Sequence, residues 1–415
     1  MARHADSPSA DLVRMMLVGF AVAATAAAAA AFGILVFVGF FWKMNWVQKL
    51  ATGPSRATSR RGQSRKIGQL PPVYPNGWFA LLESSSLRKG QVEHVSALGQ
   101  NFAVFRTESG IVRIINAYCP HLGANMAEGG EVKGEELECP FHSWRFCGET
   151  GKCTSIPYSK NVPSAVRTKV WESSESNGLI FVWHHAESAA PDWYPKPIEG
   201  ISNGTWRYQG RNEFYINCHI QEIPENGADW AHLEAVHGAS MLNVGFMAKV
   251  MRHSWTNASW SSPTTTLLHA DKEASEQHVA TSCLRHSVIL FDKFSLLEMD
   301  VVALQIGPAY VELHLRTAFG PICIIQSVTP VEPLLQKVTH LVFAPVFAAP
   351  CSKIILIGES LMFKRDVRVW NHKKFMENPM LVNEDTNIKK YRRWYKQFYS
   401  ENSPTYESCK NSLDW

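Results

Sequence analysis

The sequence predicts an α+β protein with an N-terminal transmembrane helix, an antiparallel β domain and a second α+β domain built on an antiparallel sheet. Three observations predict this class. Met15–Trp42 contains no charged residue, short β-branched and aromatic runs surround two Cys–His pairs, and a longer series of such runs precedes a helical pattern near the C-terminus. A chain of 415 residues is long enough for two domains after a short anchor.

Composition narrows the class of protein. Hydrophobic residues make up 46% and charged residues 19%, as in a globular protein. The formal net charge of +4 is small for this length and does not indicate nucleic-acid binding. The 9 cysteines are scattered, which does not resemble a disulfide framework and suits a reducing compartment.

The N-terminal segment, residues 1–45, contains the apolar stretch at about 15–42. About 20 residues suffice to cross a bilayer as a helix, and this stretch is longer. A signal peptide is the alternative, but its apolar region is about 7–15 residues long and ends in small residues. Here the exit is the bulky Phe40-Phe41-Trp42, so the sequence favours a single transmembrane helix.

More basic residues follow this helix than precede it, where only Arg3 and Arg14 lie. Residues 46–69 are rich in Ser, Gly and Arg, which predicts a basic flexible linker. The positive-inside rule then places the C-terminal part of the chain in the cytosol.

Residues 70–190 are predicted to form the small antiparallel β domain. Phe102–Phe105 and Ile111–Ile115 have strand composition. Val166–Trp171 and Leu179–Trp183 flank an Asn177-Gly178 turn, which predicts a hairpin.

Two metal-ligand pairs lie in this domain, Cys119-x-His121 and Cys139-x-x-His142. Zinc sites of this ligand count usually pair Cys with Cys and His with His along the sequence. In a Rieske 2Fe-2S cluster one iron takes two thiolates and the other takes two imidazoles. Two loops that each supply one Cys and one His suit that division, so the sequence favours the Rieske cluster over zinc. Trp144 and Phe146 are expected to shield it.

Residues 191–400 are predicted to form the second domain, followed by a tail at 401–415. Its expected strands are Thr264–Leu268, Val288–Phe291, Val311–Leu315, Ile322–Val328 and Val338–Phe343. A sheet that grips a long C-terminal helix, a helix-grip-like arrangement, would leave an apolar tunnel. The aromatic residues near the C-terminus, Trp394, Tyr395, Phe398 and Tyr399, are expected to pack on the body of the protein.

Asp229, His232 and His237 form a second candidate metal site. On a regular helix His232 and His237 are about 140° apart, with Asp229 between them. A local bulge or the helix end near Gly238 would bring the two imidazoles together. Two histidines and one carboxylate are the ligands of non-haem Fe(II) oxygenases. A helix with incidental histidines is the alternative.

With both motifs in one chain, the sequence resembles a Rieske non-haem iron oxygenase across nearly all of its soluble part. The apolar N-terminal helix and the RDVRVWNHKKF segment are similar to those of the Neverland-type cholesterol 7-desaturases of animals. The resemblance implies that His232 and His237 bind the mononuclear iron and that Asp229 connects to a cluster histidine of a neighbouring subunit in a homotrimer. It implies a third iron ligand on a late helix, Asp366, with Glu359 as the alternative; Asp366 could instead pair with nearby Lys364 or Arg368.

The resemblance also implies an activity: desaturation of cholesterol to 7-dehydrocholesterol with O₂, in ecdysteroid-type steroid biosynthesis, at the endoplasmic reticulum membrane. No G-x-G-x-x-G follows a predicted strand, so a separate NAD(P)H-dependent reductase is implied. Two alternatives remain at this point. One is the same chemistry on another lipophilic substrate, such as a tetrapyrrole, and the other is a pure electron-transfer Rieske protein.

Overall fold

The computed structural model describes residues 10–47, 68–238, 250–263 and 276–411. Most of the predicted linker, the predicted strand Thr264–Leu268 and the last four residues of the tail lie outside these ranges. Within them the chain has the predicted class, α+β with antiparallel sheets.

The N-terminal helix, α1 (Ala10–Phe40), leads into a short strand, β1 (Met44–Val47). The end of α1 meets the second domain, where Lys353 donates to the Gly39 carbonyl at 2.6 Å. Within the described residues, the helical segment Val346–Trp370 is long and apolar enough to cross a membrane. Ala27–Phe40, the apolar part of α1, is shorter than such a span. Val346–Trp370 is partly buried in the protein core, so apolarity alone does not establish a membrane span for either helix.

Three small sheets form the first domain. Their orders are β10-β5-β4-β3, β11-β12-β2 and β6-β7-β8-β9. The strands are β2 (Gly77–Glu83), β3 (Val92–Ala97), β4 (Gln100–Arg106), β5 (Val112–Asn116), β6 (Glu131–Lys133), β7 (Glu136–Glu138), β8 (Arg145–Cys147), β9 (Cys153–Ser155), β10 (Val170–Trp171), β11 (Ser173–Ser176) and β12 (Leu179–His184).

The predicted hairpin turn is present, but its first strand was predicted wrongly. Asn177 and Gly178 have φ angles of 53° and 80°, as a two-residue turn with positive φ at both positions requires. The strand that precedes them is β11, whereas only Val170–Trp171 of the predicted Val166–Trp171 is a strand. Residues 166–168 instead bond to the hairpin β8–β9, through Cys153 N–H to Val166 and Thr168 N–H to Gly151. The sequence pattern of residues 166–171 does not reveal that part of this segment bonds to the β8–β9 hairpin.

The second domain is built on an eight-stranded sheet in the described part of the chain, ordered β1-β13-β19-β18-β17-β16-β15-β14. Neighbouring strands are antiparallel except β1 and β13. The strands are β13 (Arg207–Ile216), β14 (Met251–Ser261), β15 (Val279–Leu290), β16 (Phe294–Ile306), β17 (Tyr310–Thr317), β18 (Gly320–Glu332) and β19 (Leu335–Ala344). Four of the five predicted runs lie in or at the ends of these strands. The sequence patterns did not identify β13, β14 or β16, whose polar residues obscure the alternation.

Helices lie against this sheet and at its ends. They are α2 (Glu199–Ser202), α3 (Glu222–Glu225), α4 (Ala349–Trp370), α5 (Thr386–Tyr395) and α6 (Tyr406–Asn411), with short 3₁₀ turns at Ser84–Ser86, Val346–Ala348, Asn383–Asp385 and Lys396–Phe398. Helix α4 is the long C-terminal helix that the sequence predicts. Its Phe363 packs against Phe214 of β13, with ring centroids 4.9 Å apart.

The C-terminal aromatic residues pack on the protein body, as predicted. Trp394 is 2% exposed, and its indole N–H donates to the Gln277 carbonyl at 2.8 Å. It shares a buried cluster with Ala228, the residue before Asp229. Helix α5 therefore supports the segment that carries Asp229 and His232.

We expect Trp394→Ala to lower the free energy of unfolding by about 3–5 kcal/mol, because it removes a large buried side chain and leaves a cavity. Urea unfolding followed by circular dichroism measures this. Lys396→Ala, at an exposed position in the next turn, is the control and should change the free energy by less than about 0.5 kcal/mol. Equal stability of the two variants would contradict the assigned packing.

Candidate functional site

The two Cys–His loops of the first domain have the same backbone geometry. The amide of Gly123 donates to the Cys119 carbonyl at 2.9 Å, and the amide of Ser143 donates to the Cys139 carbonyl at 3.0 Å. Gly123 and Ser143 both have positive φ, at 75° and 54°. Each cysteine amide in turn donates to the carbonyl five residues later. The two loops therefore have matching backbones although their Cys–His spacings differ by one residue, which the sequence alone does not reveal.

The two histidines of these loops lie side by side, and so do the two cysteines. The His121 and His142 rings have centroids 4.7 Å apart and are half-buried, whereas Cys119 and Cys139 are buried. Burial, and then the neighbouring Cys139, raises the pKa of the Cys119 thiol to about 11, so a metal must displace its proton on binding. Two thiols inside and two imidazoles outside are the donor set that a two-iron cluster with unlike ligands requires.

Aromatic side chains cover one side of this group. The Trp144 ring stacks on His121 at 4.4 Å, and its N–H donates to the Tyr158 hydroxyl at 2.8 Å. Phe146 is fully buried in the core beneath the loops.

The second candidate site lies on a π-helical turn, Leu233–His237. A π turn has i→i+5 hydrogen bonds and more residues per turn than an α-helix, so residues five apart lie closer around the axis than the about 140° of a regular helix. The rings of His232 and His237 consequently have centroids 5.5 Å apart. Gly238 ends the turn, and a Cβ there would lie 2.4 Å from the Glu234 carbonyl oxygen.

Asp366 of α4 joins these two histidines. Its Oδ1 is 3.2 Å from His237 Nε2, and one ligand atom from each of the three residues lies within 4.8 Å of the others. Asp366 thus faces His237 and not the neighbouring basic residues of its own helix. Burial lowers the pKa of His232, which the Asp366 carboxylate opposes, and the neutral imidazole is the form that binds metal. Two imidazoles and a carboxylate fit a mononuclear iron.

Asp229 lies behind His232 and not inside this group. Its backbone carbonyl accepts a hydrogen bond from His232 Nδ1, and its Oδ1 accepts one from the His232 amide at 3.3 Å. This fixes Nδ1 as the protonated nitrogen and leaves Nε2 for a metal. The Asp229 side chain is 30% exposed, so it can also reach a group outside this chain.

Glu359, the alternative ligand, lies elsewhere on α4. Its Oε1 is 2.8 Å from His340 Nδ1, and its Oε2 accepts from the Asn212 amide at 2.5 Å. It is not among the three residues whose ligand atoms converge. The geometry therefore favours Asp366 over Glu359 beside the two histidines.

A cavity of about 360 Å³ opens beside His232, His237 and Asp366. It lies between α4 and the eight-stranded sheet. Most of its wall is aliphatic or aromatic, including Leu233, Leu284, Val301, Leu313, Ile324, Ile355 and Met362. Such a space suits a large, rigid and mostly apolar substrate.

The sequence patterns did not identify several polar residues of this wall. His286, Gln326 and Trp230 line the cavity, but they come from separate strands and turns. His286 also lies 2.9 Å from His253, nitrogen to nitrogen, and burial lowers the pKa of both to about 4. No local motif marks these residues, because each faces the cavity only through the tertiary packing of its strand or turn.

A two-loop Cys–His domain followed by a sheet that carries two histidines and a carboxylate beside an apolar cavity defines a redox enzyme with two metal centres. The match to protein families agrees with this class. Residues 77–166 match the Rieske [2Fe-2S] domain, and residues 182–399 match the 3-ketosteroid 9alpha-hydroxylase C-terminal domain.

Similar proteins extend the match over most of the chain. It is 46% identical over 363 residues to cholesterol 7-desaturase nvd of Drosophila melanogaster, covering 86% of this chain and 82% of that one. It is 45% identical to the Xenopus laevis cholesterol 7-desaturase nvd, covering 88% and 80%. It is 27% identical to the oxygenase component of 3-ketosteroid-9-alpha-monooxygenase of Rhodococcus rhodochrous, covering 80% and 85%.

The fold is that of a solved oxygenase. Dicamba monooxygenase matches with a TM-score of 0.59 at 14% identity, covering 79% of this chain and 98% of that one. The chain belongs to the Rieske non-haem iron oxygenase family, in the group of the cholesterol 7-desaturases. It is an oxidoreductase with a Rieske cluster and a mononuclear iron as cofactors.

Proposed function

We propose that this chain is a membrane-anchored sterol desaturase that converts cholesterol to 7-dehydrocholesterol. The observation that carries the proposal is the convergence of His232, His237 and Asp366 on the wall of a mostly apolar cavity. The names of relatives that share nearly half of the sequence supply the sterol and the position of the double bond.

The geometry of the two sites supports the proposed ligands. Cys119, His121, Cys139 and His142 hold the cluster, and His232, His237 and Asp366 hold the mononuclear iron. When bound, these centres supply one-electron transfer and oxygen activation. Asp229 holds the proton on His232 Nδ1 and connects that histidine to a cluster histidine. The apolar wall excludes water from the reacting carbon–hydrogen bonds.

The overall reaction requires an outside reductant. Removing two hydrogens from the sterol while reducing O₂ to two waters consumes two further electrons and two protons. NAD(P)H supplies the electrons through a separate reductase. We assign the electron transfer to the cluster domain at 70–190 and the desaturation to the catalytic domain at 191–400.

The proposed assembly is a homotrimer held at the endoplasmic reticulum by the helix at about 15–42, with the catalytic part cytosolic. Large exposed apolar residues along the end of α1, including Phe32 and Leu35, support anchoring in lipid. The partly exposed Asp229 supports a contact between subunits.

We expect the purified full chain, with O₂, NADPH and a ferredoxin-type reductase, to convert cholesterol to 7-dehydrocholesterol. Mass spectrometry of the sterol and coupled O₂ uptake provide the measurement. Oxidation of the reductase without any change in cholesterol would contradict the proposal and favour an electron carrier or another substrate. The His372→Ala variant, altered at an exposed histidine after α4, is a control that should remain active.

A further inference from the structure

We infer that Glu359 is the residue that recognises the hydroxyl group of the sterol and thereby sets which carbon faces the iron site. The inference rests on the proposed function, because a sterol has one polar group on an otherwise apolar skeleton. Burying that hydroxyl without a partner costs free energy, so a cavity that binds sterols needs a polar group at one defined place.

Glu359 is in the right place along helix α4. It lines the cavity, as Asp366 does, and precedes Asp366 by seven residues. Seven residues are about two helical turns, so the two carboxylates share one face of α4 at a spacing of about 10 Å along its axis. In cholesterol the hydroxyl and the carbons to be desaturated lie in adjoining rings. A sterol lying along α4 can therefore direct its hydroxyl to Glu359 and its second ring to the iron site.

The side-chain amide of Asn212 fixes one oxygen of Glu359 as a hydrogen-bond acceptor. His340 Nδ1 lies against Oε1, and the Asn212 amide donates to Oε2. Both partners are almost fully buried, at 2% and 1% exposed. A carboxylate offers about four acceptor positions and no donor when ionised, so positions remain for a hydroxyl donor after these contacts.

The polar side chains around Glu359 come from three neighbouring strands of the sheet. Asn212 of β13 and His340 of β19 are directly paired, and His340 is also paired with Gln326 of β18. His340 Nε2 lies 3.0 Å from Gln326 Oε1. A row of polar side chains thus crosses three strands beneath Glu359 and holds it in one orientation. A fixed acceptor distinguishes a hydroxyl from a ketone, which cannot donate a hydrogen bond.

The test compares three sterols on two proteins. Wild type should use cholesterol with a kcat/KM about 10- to 100-fold above that for its 3-keto and 3-deoxy analogues, as expected for a hydrogen bond to a charged group. Glu359→Gln keeps the shape but adds an amide donor. It should lose about 10- to 100-fold with cholesterol and reverse the preference toward the 3-keto analogue.

Glu384→Gln, at an exposed position outside the cavity, is the matched control and should keep the wild-type preference. Iron content is measured in each variant. If wild type desaturates cholesterol and Glu359→Gln keeps the same preference, the inference alone fails. A loss of iron in Glu359→Gln would make Glu359 a ligand and would also overturn it. If wild type with full iron content changes no sterol, the proposed function fails and the inference fails with it. The analogue series on wild type does not depend on the folding of any variant.

Discussion

His237→Ala is expected to reduce the iron content from three to two atoms per chain and to abolish sterol desaturation, while the spectrum of the Rieske cluster remains. His237 is almost fully buried, its Nε2 faces Asp366 at 3.2 Å, and its ring lies beside that of His232. Alanine has no group that can bind a metal, so the substitution leaves two of the three protein ligands and the affinity for iron falls. Loss of an outer-shell partner alone costs roughly 10- to 100-fold, and loss of a direct ligand should cost more.

The measurement combines iron analysis, electron paramagnetic resonance of the reduced cluster and product analysis. His372→Ala should keep three irons and full activity, since His372 is exposed beyond the end of α4. The cluster signal reports whether the first domain is folded, because that domain holds the cluster and does not contain His237. Retention of three irons or of 7-dehydrocholesterol formation by His237→Ala would refute the assignment of this site.

Asp229→Asn is expected to leave all three irons bound but to slow turnover by at least about 100-fold, the upper range for an outer-shell substitution. Asp229 bonds to the backbone and ring of His232 on one side and is partly exposed on the other. The proposed role of its carboxylate is to accept a hydrogen bond from the His232 amide on one side and from a cluster imidazole of a neighbouring subunit on the other. An asparagine has one acceptor oxygen and one donor nitrogen in the same shape, so it cannot accept on both sides.

Stopped-flow oxidation of the pre-reduced protein isolates this step. With cholesterol and O₂ present, the cluster of Asp229→Asn should stay reduced long after that of wild type is oxidised. Glu234→Gln is the matched control, because Glu234 is exposed on the same π turn. Normal cluster oxidation in Asp229→Asn would show that electrons pass by another route. Loss of iron from this variant would instead make Asp229 a ligand-supporting residue only.

The sequence predicted the elements that depend on local pattern. The paired spacing of Cys119-x-His121 and Cys139-x-x-His142, the Asn177-Gly178 turn and the late helix with Asp366 each lie within a short segment. Local φ/ψ preference and ligand type act over a few residues, so such features are readable without a structure. Strands that mix polar and apolar residues, such as β14 and β16, were missed for the same reason, since their pattern reflects partners far along the chain.

The choice between Asp366 and Glu359 needed the tertiary structure. Both are acidic residues on one face of α4, and helical spacing cannot separate them. The packing of α4 against its neighbours separates them, because Asp366 contacts the π turn whereas Glu359 contacts Asn212 and His340.

By itself the sequence determined which metal-binding residue types the chain carries, the two-domain order and the class of chemistry. Only the tertiary structure decided that a π turn brings His232 beside His237, which carboxylate joins them, and where the cavity has its polar wall. Ligand identity is a property of single residues and their near neighbours. Convergence of side chains from a turn, a helix and several strands depends on long-range strand register and helix packing, which local sequence patterns do not specify.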